Sequence, residues 1–167
     1  MSTRSVNRQS FRVDEIVQVA VVVKNLQKAM ENYWKTLGIG PWSIYTYAPP
    51  ALREPMVRGK LVNYSMRLAI AQVGSVQLEL IEPLEGPSVY KEFLAERGEG
   101  LHHIQSRIEN VDETLAAFKE MGINILMSGK FGEGEFYYMD TEPVLGTVYE
   151  VVKRRTRPPP ETTYPPK

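Results

Sequence analysis

Residues 18–39, QVAVVVKNLQKAMENYWKTLGI, and residues 103–123, HIQSRIENVDETLAAFKEMGI, carry one pattern twice in the same chain. Each copy begins with a β-rich run of strand length and then changes to apolar residues at helical spacing. A glycine, Gly38 or Gly122, follows each helical stretch and suits a left-handed helix end. Each copy therefore predicts one strand followed by one helix.

The sequence after each helix predicts strands only. Glycines separate the apolar runs, which lie at 42–47, 65–73 and 76–81 in the first copy and at 125–130, 135–139 and 147–152 in the second. The repeated unit is thus βαβββ. Since a strand pair from one unit cannot bury both of its faces alone, we expect the units to share a sheet. The predicted fold class is α+β, with two tandem βαβββ modules forming a curved half-barrel sheet around a central metal site and helices outside.

The domain organisation follows from this repeat. Residues 13–86 are predicted to form the first module, 87–99 a linking helix and 100–154 the second module. Residues 1–12 are predicted to be a flexible N-terminal segment. Residues 155–167 are predicted to be a proline-rich, disordered tail, because proline donates no backbone hydrogen bond. A polyproline ligand for an aromatic groove is the alternative interpretation of this tail.

Composition excludes several classes of protein. With 43% hydrophobic residues among 167, the chain is not disordered throughout. Its 20 basic and 20 acidic residues cancel, which argues against a nucleic-acid partner bound through bulk charge. The absence of cysteine excludes disulfides, thiolate metal sites and a cysteine nucleophile. The apolar run at 19–23 is far shorter than the ~20 residues that cross a bilayer. We expect a soluble, cytoplasmic protein with no membrane partner.

Four polar residues occupy matched positions in the two units. Gln18 and His103 begin the first strands, and Glu79 and Glu150 lie within the last strands, VQLELI and TVYEVV. A carboxylate in such a strand must face water or a partner that compensates its charge. Pseudo-twofold symmetry between the units would bring all four side chains to one point. Three oxygen donors and one imidazole nitrogen suit a divalent cation with open positions for water or substrate.

Each of these residues has a structural alternative when it is taken singly. Gln18, Glu79 and Glu150 could face solvent from half-buried strands, and His103 could be a structural histidine. The neighbouring His102 competes for the ligand role, but strand alternation predicts that the two histidines lie on opposite faces. The repeat selects His103 because that residue aligns with Gln18. The symmetric placement of all four residues supports the metal site.

The segment 47–64 is predicted to be a loop between the second and third strands. It carries Arg53 and Arg58, which could clamp an anionic substrate such as an acyl-CoA or a carboxylate. Ordinary solvated loop charge is the alternative interpretation of these two arginines.

The βαβββ repeat, with donors on the first and last strands of each unit, resembles the vicinal oxygen chelate superfamily. That superfamily includes glyoxalase I, methylmalonyl-CoA epimerase, extradiol dioxygenases and bleomycin-resistance proteins. Residues 78–104, LELIEPLEGPSVYKEFLAERGEGLHHI, look most like the epimerase branch. The resemblance implies that the second histidine of the pair, His103, is a ligand, whereas the Gln, Glu, His, Glu set resembles that of zinc-containing glyoxalase I. An acidic residue that the epimerases use for proton transfer falls on Asn63, which cannot take a proton.

These features predict a divalent-metal-dependent isomerase or epimerase, or a lyase, that stabilises the enolate of a bidentate carbonyl substrate. The metal would withdraw charge from a carbonyl while a carboxylate carries the proton. The resemblance implies Glu150 for the proton transfer, with Glu79 on the opposite face and Asn63 among the substrate contacts. Zinc, cobalt, nickel, manganese or magnesium would serve as the ion.

Two alternatives stay open at this point. One is a lactoylglutathione lyase of the glyoxalase I type, and the other is a non-catalytic small-molecule binding or resistance protein of the same fold. An iron dioxygenase is disfavoured because only one histidine stands at the ligand positions. The expected partners are a small-molecule substrate, such as an acyl-CoA or other carbonyl compound, and a second copy of the chain in a homodimer.

Overall fold

The computed structural model describes residues 11–153 and 157–165. Within these ranges the helices are α1 (Leu26–Leu37), α2 (Val89–Arg97), α3 (Val111–Glu120) and α4 (Glu142–Leu145). The strands are β1 (Ile16–Val22), β2 (Trp42–Tyr47), β3 (Leu52–Val57), β4 (Lys60–Leu61), β5 (Met66–Val73), β6 (Val76–Pro83), β7 (Gly100–Ser106), β8 (Ile125–Phe131), β9 (Gly134–Met139), β10 (Val148–Lys153) and β11 (Thr162–Tyr164). All eleven belong to one sheet, in the order β11-β2-β5-β6-β1-β7-β10-β9-β8-β3-β4. The predicted α+β fold with an open, curved sheet is confirmed.

The centre of the sheet joins the two repeats. β1 pairs antiparallel with β7, while β6 runs parallel to β1 on one side and β10 runs parallel to β7 on the other. This arrangement is the pseudo-twofold relation that the sequence repeat predicts. Because all strands share one sheet, the structure does not separate the modules, and their boundaries stay a prediction.

The helices of the repeat begin and end where the sequence pattern indicates. The side chains of Asn25 and Asn110 occupy the same position in each repeat and cap α1 and α3, accepting hydrogen bonds from Lys28 N and Glu113 N at 2.8 and 3.1 Å. Such caps satisfy backbone donors that have no partner within the helix. Gly38 ends α1 in the left-handed region, with φ 67°.

The sheet buries both of its faces. Alternation along β1 sends Ala20 and Val22 to one face, where they pack with β6, β10 and α2, and this face is called the inner face below. Val23 packs on the other side, where α1 covers the first module, and α3 covers the second module in the same way. α1 and α3 thus lie outside, as predicted, whereas the linking helix α2 packs against the inner face.

The segment predicted as a loop at 47–64 contains β3 and β4. β3 pairs antiparallel with β8, so a hairpin of the first module extends the edge of the second. The first and last residues of β3, Leu52 and Val57, are buried. The register shifts between Arg53 and Met56, and Glu54 adopts φ 48°, which breaks the alternation that identifies a strand in sequence.

The structure also differs from the predicted disordered tail. Thr162–Tyr164 pairs antiparallel with Trp42–Ile44 of β2. Prolines flank this short edge strand and do not interrupt it, which is the position that sheets tolerate. Residues 1–10, 154–156 and 166–167 lie outside the described ranges, as do the predictions that concern them. In the part of the chain that the structure describes, no helix is long and apolar enough to cross a membrane.

We predict that Gly86→Ala destabilises the protein far more than Gly74→Ala. Both glycines have positive φ, but a Cβ on Gly86 would lie 2.0 Å from the Asn63 carbonyl oxygen, whereas a Cβ on Gly74 would have no atom within 4 Å. The Gly74 variant should lose about 1–2 kcal/mol of unfolding free energy from its backbone conformation alone. The Gly86 variant should lose about 3 kcal/mol or more, because backbone must also move. Urea unfolding measures both, and equal losses would contradict this account.

Candidate metal centre

The four donors predicted from the repeat lie on adjacent strands of the sheet centre. Gln18, Glu79, His103 and Glu150 belong to β1, β6, β7 and β10 and are 1%, 4%, 0% and 6% exposed. Gln18, Glu79 and Glu150 each stand two residues from an apolar residue of the inner face. The His103 ring lies against Tyr138 of that face, so the four side chains share it. The solvent-facing alternative does not describe them.

Two carboxylates converge on one imidazole nitrogen. His103 Nε2 lies 3.6 Å from Glu79 Oε2 and 3.5 Å from Glu150 Oε2. Among the residues that the structure describes, His103 Nε2 and Gln18 Nε2 are buried without a hydrogen-bond partner. Buried polar atoms are seldom left unpaired, because each costs free energy. A half-turn of the Gln18 amide would present its oxygen at the same position.

This cluster fits a divalent cation in its donor chemistry. Within residues 11–153 and 157–165, no group of three or more His, Asp or Glu side chains is already arranged to hold a metal ion. However, ligands about 2.0–2.2 Å from a tetrahedral zinc ion stand about 3.4 Å from one another. The separations of 3.5 and 3.6 Å around His103 Nε2 are close to that value. These two separations are compatible with a shared cation.

Protonated His103 offsets one of the two carboxylate charges of the cluster when no metal is bound. Burial alone lowers the pKa of His103, but the nearby negative charges of Glu150 and Glu79 oppose this effect and raise the pKa to about 9. An imidazolium therefore lies between the two acidic side chains at neutral pH. A metal ion would replace this proton, because an imidazole nitrogen must be unprotonated to bind a metal.

His102 orients the ring of His103. Ala20 pairs with His103 and Val21 with Leu101, so His102 is an extra residue in β7. The bulge brings the two histidine Nδ1 atoms to 3.1 Å, which corrects the prediction that alternation separates the rings. Burial, followed by the charge of His103, keeps the pKa of His102 well below its ordinary value. Neutral His102 can thus accept a hydrogen bond from His103 Nδ1, which directs Nε2 of His103 towards the carboxylates.

A small cavity of about 50 Å³ opens beside this cluster. Its wall is largely aromatic and aliphatic, and it includes Tyr90 and Tyr138, whose hydroxyls are 2.6 Å apart. Its charged lining residues are Glu79, Glu135, Glu150 and Arg157. A largely apolar wall with a few convergent polar groups is the lining that small-molecule sites have.

The predicted substrate contacts lie elsewhere in the described structure. Arg53 Nη2 donates to the Gly132 carbonyl at 2.6 Å, and Arg58 pairs with Glu92 at 2.7 Å. Asn63 is exposed. Among the described residues that line the cavity, none of these three is present, and their role in substrate binding stays a prediction.

Arg157, like Glu135, is a charged cavity residue that the sequence does not predict. It lies in the tail predicted to be disordered, and no periodic pattern marks it. The only sequence signal is the run of basic residues that separates the second module from the prolines.

The comparisons with known proteins agree with this architecture. A family model described as the Glyoxalase/Bleomycin resistance protein/Dioxygenase superfamily matches residues 17–138, and the chain belongs to that superfamily. This membership confirms the resemblance seen in the sequence. The match includes the positions of Gln18, Glu79 and His103, whereas Glu150 follows it.

Two curated relatives are similar over most of the chain. An uncharacterized protein, YqjC of Bacillus subtilis (strain 168), is 29% identical over 114 residues, which are 68% of this chain and 71% of that protein. The mitochondrial methylmalonyl-CoA epimerase of Bos taurus is 28% identical over 117 residues, which are 70% of this chain but only 59% of the bovine protein.

Solved epimerase structures share the fold. Methylmalonyl-CoA epimerase from Mycobacterium tuberculosis superposes with a TM-score of 0.63 at 20% identity, covering 93% of this chain and 94% of that one. A variant of the Streptomyces coelicolor enzyme, in complex with 2-nitronate-propionyl-CoA, gives a TM-score of 0.65 at 21% identity, covering 87% and 97%. At this identity the likeness concerns the fold alone.

We predict that His103→Gln removes a pH dependence from the stability of chelator-treated protein. The pKa of His103 is raised in the folded state from 6.5 to about 9. Its stabilising contribution is therefore complete below the ordinary histidine pKa and is lost as the pH rises through about 9. In urea titrations, the difference in unfolding free energy between wild type and His103→Gln should therefore shrink as the pH rises from 6.5 to about 9. If the unfolding free energies of wild type and variant changed with pH in parallel, the ion pairs of His103 with Glu79 and Glu150 would be contradicted.

Proposed function

We propose that this protein is a divalent-metal-dependent isomerase or epimerase that stabilises the enolate of a carbonyl substrate. The observation that carries the proposal is the convergence of two buried carboxylates on His103 Nε2, at 3.5 and 3.6 Å. Membership of the superfamily and similarity to methylmalonyl-CoA epimerases support this chemistry. Buried ionisable groups that face a cavity are also more typical of an active site than of a passive binding module.

Gln18, Glu79, His103 and Glu150 would hold the ion. The two carboxylates would neutralise its charge, and a set of one nitrogen and three oxygens is compatible with zinc, cobalt, nickel, manganese or magnesium. When bound, such an ion polarises a substrate carbonyl and stabilises the negative charge of an enolate. His102 would keep His103 in the required tautomer.

Glu150 is the proposed base. A carboxylate oxygen of Glu150 would take the proton from the carbon next to the carbonyl, and the electron pair of that C–H bond would enter the enolate. Glu79 lies on the other side of the β1–β7 pair, so it would serve the opposite face of the substrate. Return of the proton to either face completes an isomerisation or epimerisation without any redox step.

Acyl-CoA thioesters are the substrate class that we propose. The bovine relative is a methylmalonyl-CoA epimerase, and the Streptomyces coelicolor structure holds an acyl-CoA analogue. Asn63 replaces the additional acid of that family and is exposed, so we assign proton transfer to Glu150 and Glu79 alone. Homodimer formation stays a prediction that accompanies this proposal.

The test of the reaction is exchange of the substrate α-proton. We expect zinc- or cobalt-loaded protein to exchange the α-proton of methylmalonyl-CoA in deuterium oxide, followed by proton NMR. Glu150→Gln should slow this exchange by about 100-fold or more, the range that a positioned base contributes. Glu120→Gln, at an exposed position of α3, is the matched control and should retain the wild-type rate. Undiminished exchange by the Glu150 variant would remove this residue from the role.

The test of the metal centre is elemental analysis. Purified wild-type protein dialysed against zinc should hold about one ion per chain, whereas His103→Gln should lose at least tenfold in zinc affinity because the nitrogen donor is gone. Glu120→Gln again serves as the control. Metal-free wild-type protein that binds a small molecule tightly would instead favour the non-catalytic binding protein.

A further inference from the structure

The chain returns to the candidate metal centre after its second module. β11 pairs with β2, and the Glu161 backbone N–H donates to the Ile44 carbonyl at 2.9 Å. The Glu161 carboxylate accepts hydrogen bonds from the Thr46 backbone N–H at 2.7 Å and from its hydroxyl at 3.1 Å. These contacts fix the segment on the edge of the first module, beside the cavity.

This segment carries Arg157 to the cavity wall. The Arg157 side chain is 23% exposed, and its Nη2 lies 3.8 Å from Glu79 Oε1. Its Nη1 donates to Gln77 Oε1 at 3.4 Å. Burial raises the pKa of Tyr47 to about 12, and the adjacent Arg157 opposes that rise. The guanidinium also interacts with the Tyr47 side chain. Because its contacts with Gln77 and Glu79 are long, its five donors retain capacity for another acceptor.

The charge of Arg157 depends on Glu79 for compensation. Of the described residues that line the cavity, the only lysine or arginine is Arg157, while Glu79, Glu135 and Glu150 are acidic. The Glu135 carboxylate accepts a hydrogen bond from the Tyr137 hydroxyl. If Glu79 and Glu150 bind a divalent ion, their charges are compensated by that ion. The guanidinium would then keep its neutral partners Gln77 and Tyr47 but lose the compensating charge of Glu79, which is costly for a largely buried cation.

We propose that Arg157 is a substrate-binding residue that holds an anionic group of the ligand, a carboxylate or comparable oxyanion, beside the metal centre. This inference rests on the proposed function and narrows it to carbonyl substrates that carry such a group close to the reacting carbon. The planar guanidinium matches a carboxylate in two parallel hydrogen bonds. Since the metal releases Arg157 from Glu79, binding of metal and of anion should each strengthen the other.

The test compares two ligands that differ only in charge. The probes are the malonyl thioester of N-acetylcysteamine and its primary amide, titrated calorimetrically into zinc-loaded protein. Arg157→Gln should weaken binding of the malonyl probe by about tenfold or more, the range of one charge-assisted hydrogen bond, and leave the amide unaffected. The affinity of Arg157→Lys for the malonyl probe should lie between those of wild type and Arg157→Gln, because lysine keeps the charge but lacks the planar guanidinium.

The matched control is Arg107→Gln. Arg107 pairs with Glu15 at 3.1 Å on the surface, and its loss removes the same charge. This variant should keep the wild-type preference for the malonyl probe. As a second readout, the malonyl probe should raise the zinc affinity of wild type and of the Arg107 variant, but not that of the Arg157→Gln variant.

Three outcomes would overturn the inference. If Arg157→Gln kept the wild-type ratio of affinities for the malonyl and amide probes, with zinc content and α-proton exchange intact, the role of Arg157 would be rejected. The proposed function would still stand. Equal weakening of both probes would show that Arg157 only supports the fold. Wild-type protein that binds no zinc would overturn the proposed function together with the inference.

Discussion

Two acidic side chains buried near the same imidazole are the constraint on which the site depends. Glu79 and Glu150 lie on the inner face at the centre of the sheet, where each is almost fully buried. Buried charge persists only when it is paired. Protonated His103 provides that pairing in the metal-free protein, and a divalent cation would provide it more completely. The Nε2 atoms of Gln18 and His103 are buried without a hydrogen-bond partner among the described residues, and a bound cation would engage both side chains.

The architecture follows from a duplication that places matched strands side by side. The antiparallel β1–β7 pair is the axis, and β6 and β10 flank it. Gln18 and His103 could be predicted as partners because strand periodicity and the helix that follows it align the two copies residue by residue. Glu79 and Glu150 could be predicted because an acidic residue inside an apolar strand violates the local pattern in both copies. Strand periodicity and the internal repeat can both be recognised in a single sequence, which is why these four residues could be predicted.

The parts that escaped prediction depend on long-range pairing or on irregular backbone. β3 joins the far edge of the second module, and Glu54, with its positive φ, interrupts its alternation. β11 is three residues long and obtains its partner from β2. The bulge at His102 turns two adjacent rings towards each other, which no alternation rule predicts. Arg157 could not be assigned from sequence because its contacts Gln77 and Glu79 lie on β6, more than 70 residues earlier in the chain.

The most direct measurement of the central claim is anomalous scattering from a crystal soaked with zinc, recorded at the zinc absorption edge. The account predicts one strong peak per chain on the inner face, about 2.0–2.2 Å from His103 Nε2, from one oxygen each of Glu79 and Glu150, and from the Gln18 amide oxygen. A peak elsewhere, or no peak while His103 still bridges the two carboxylates as an imidazolium, would contradict it.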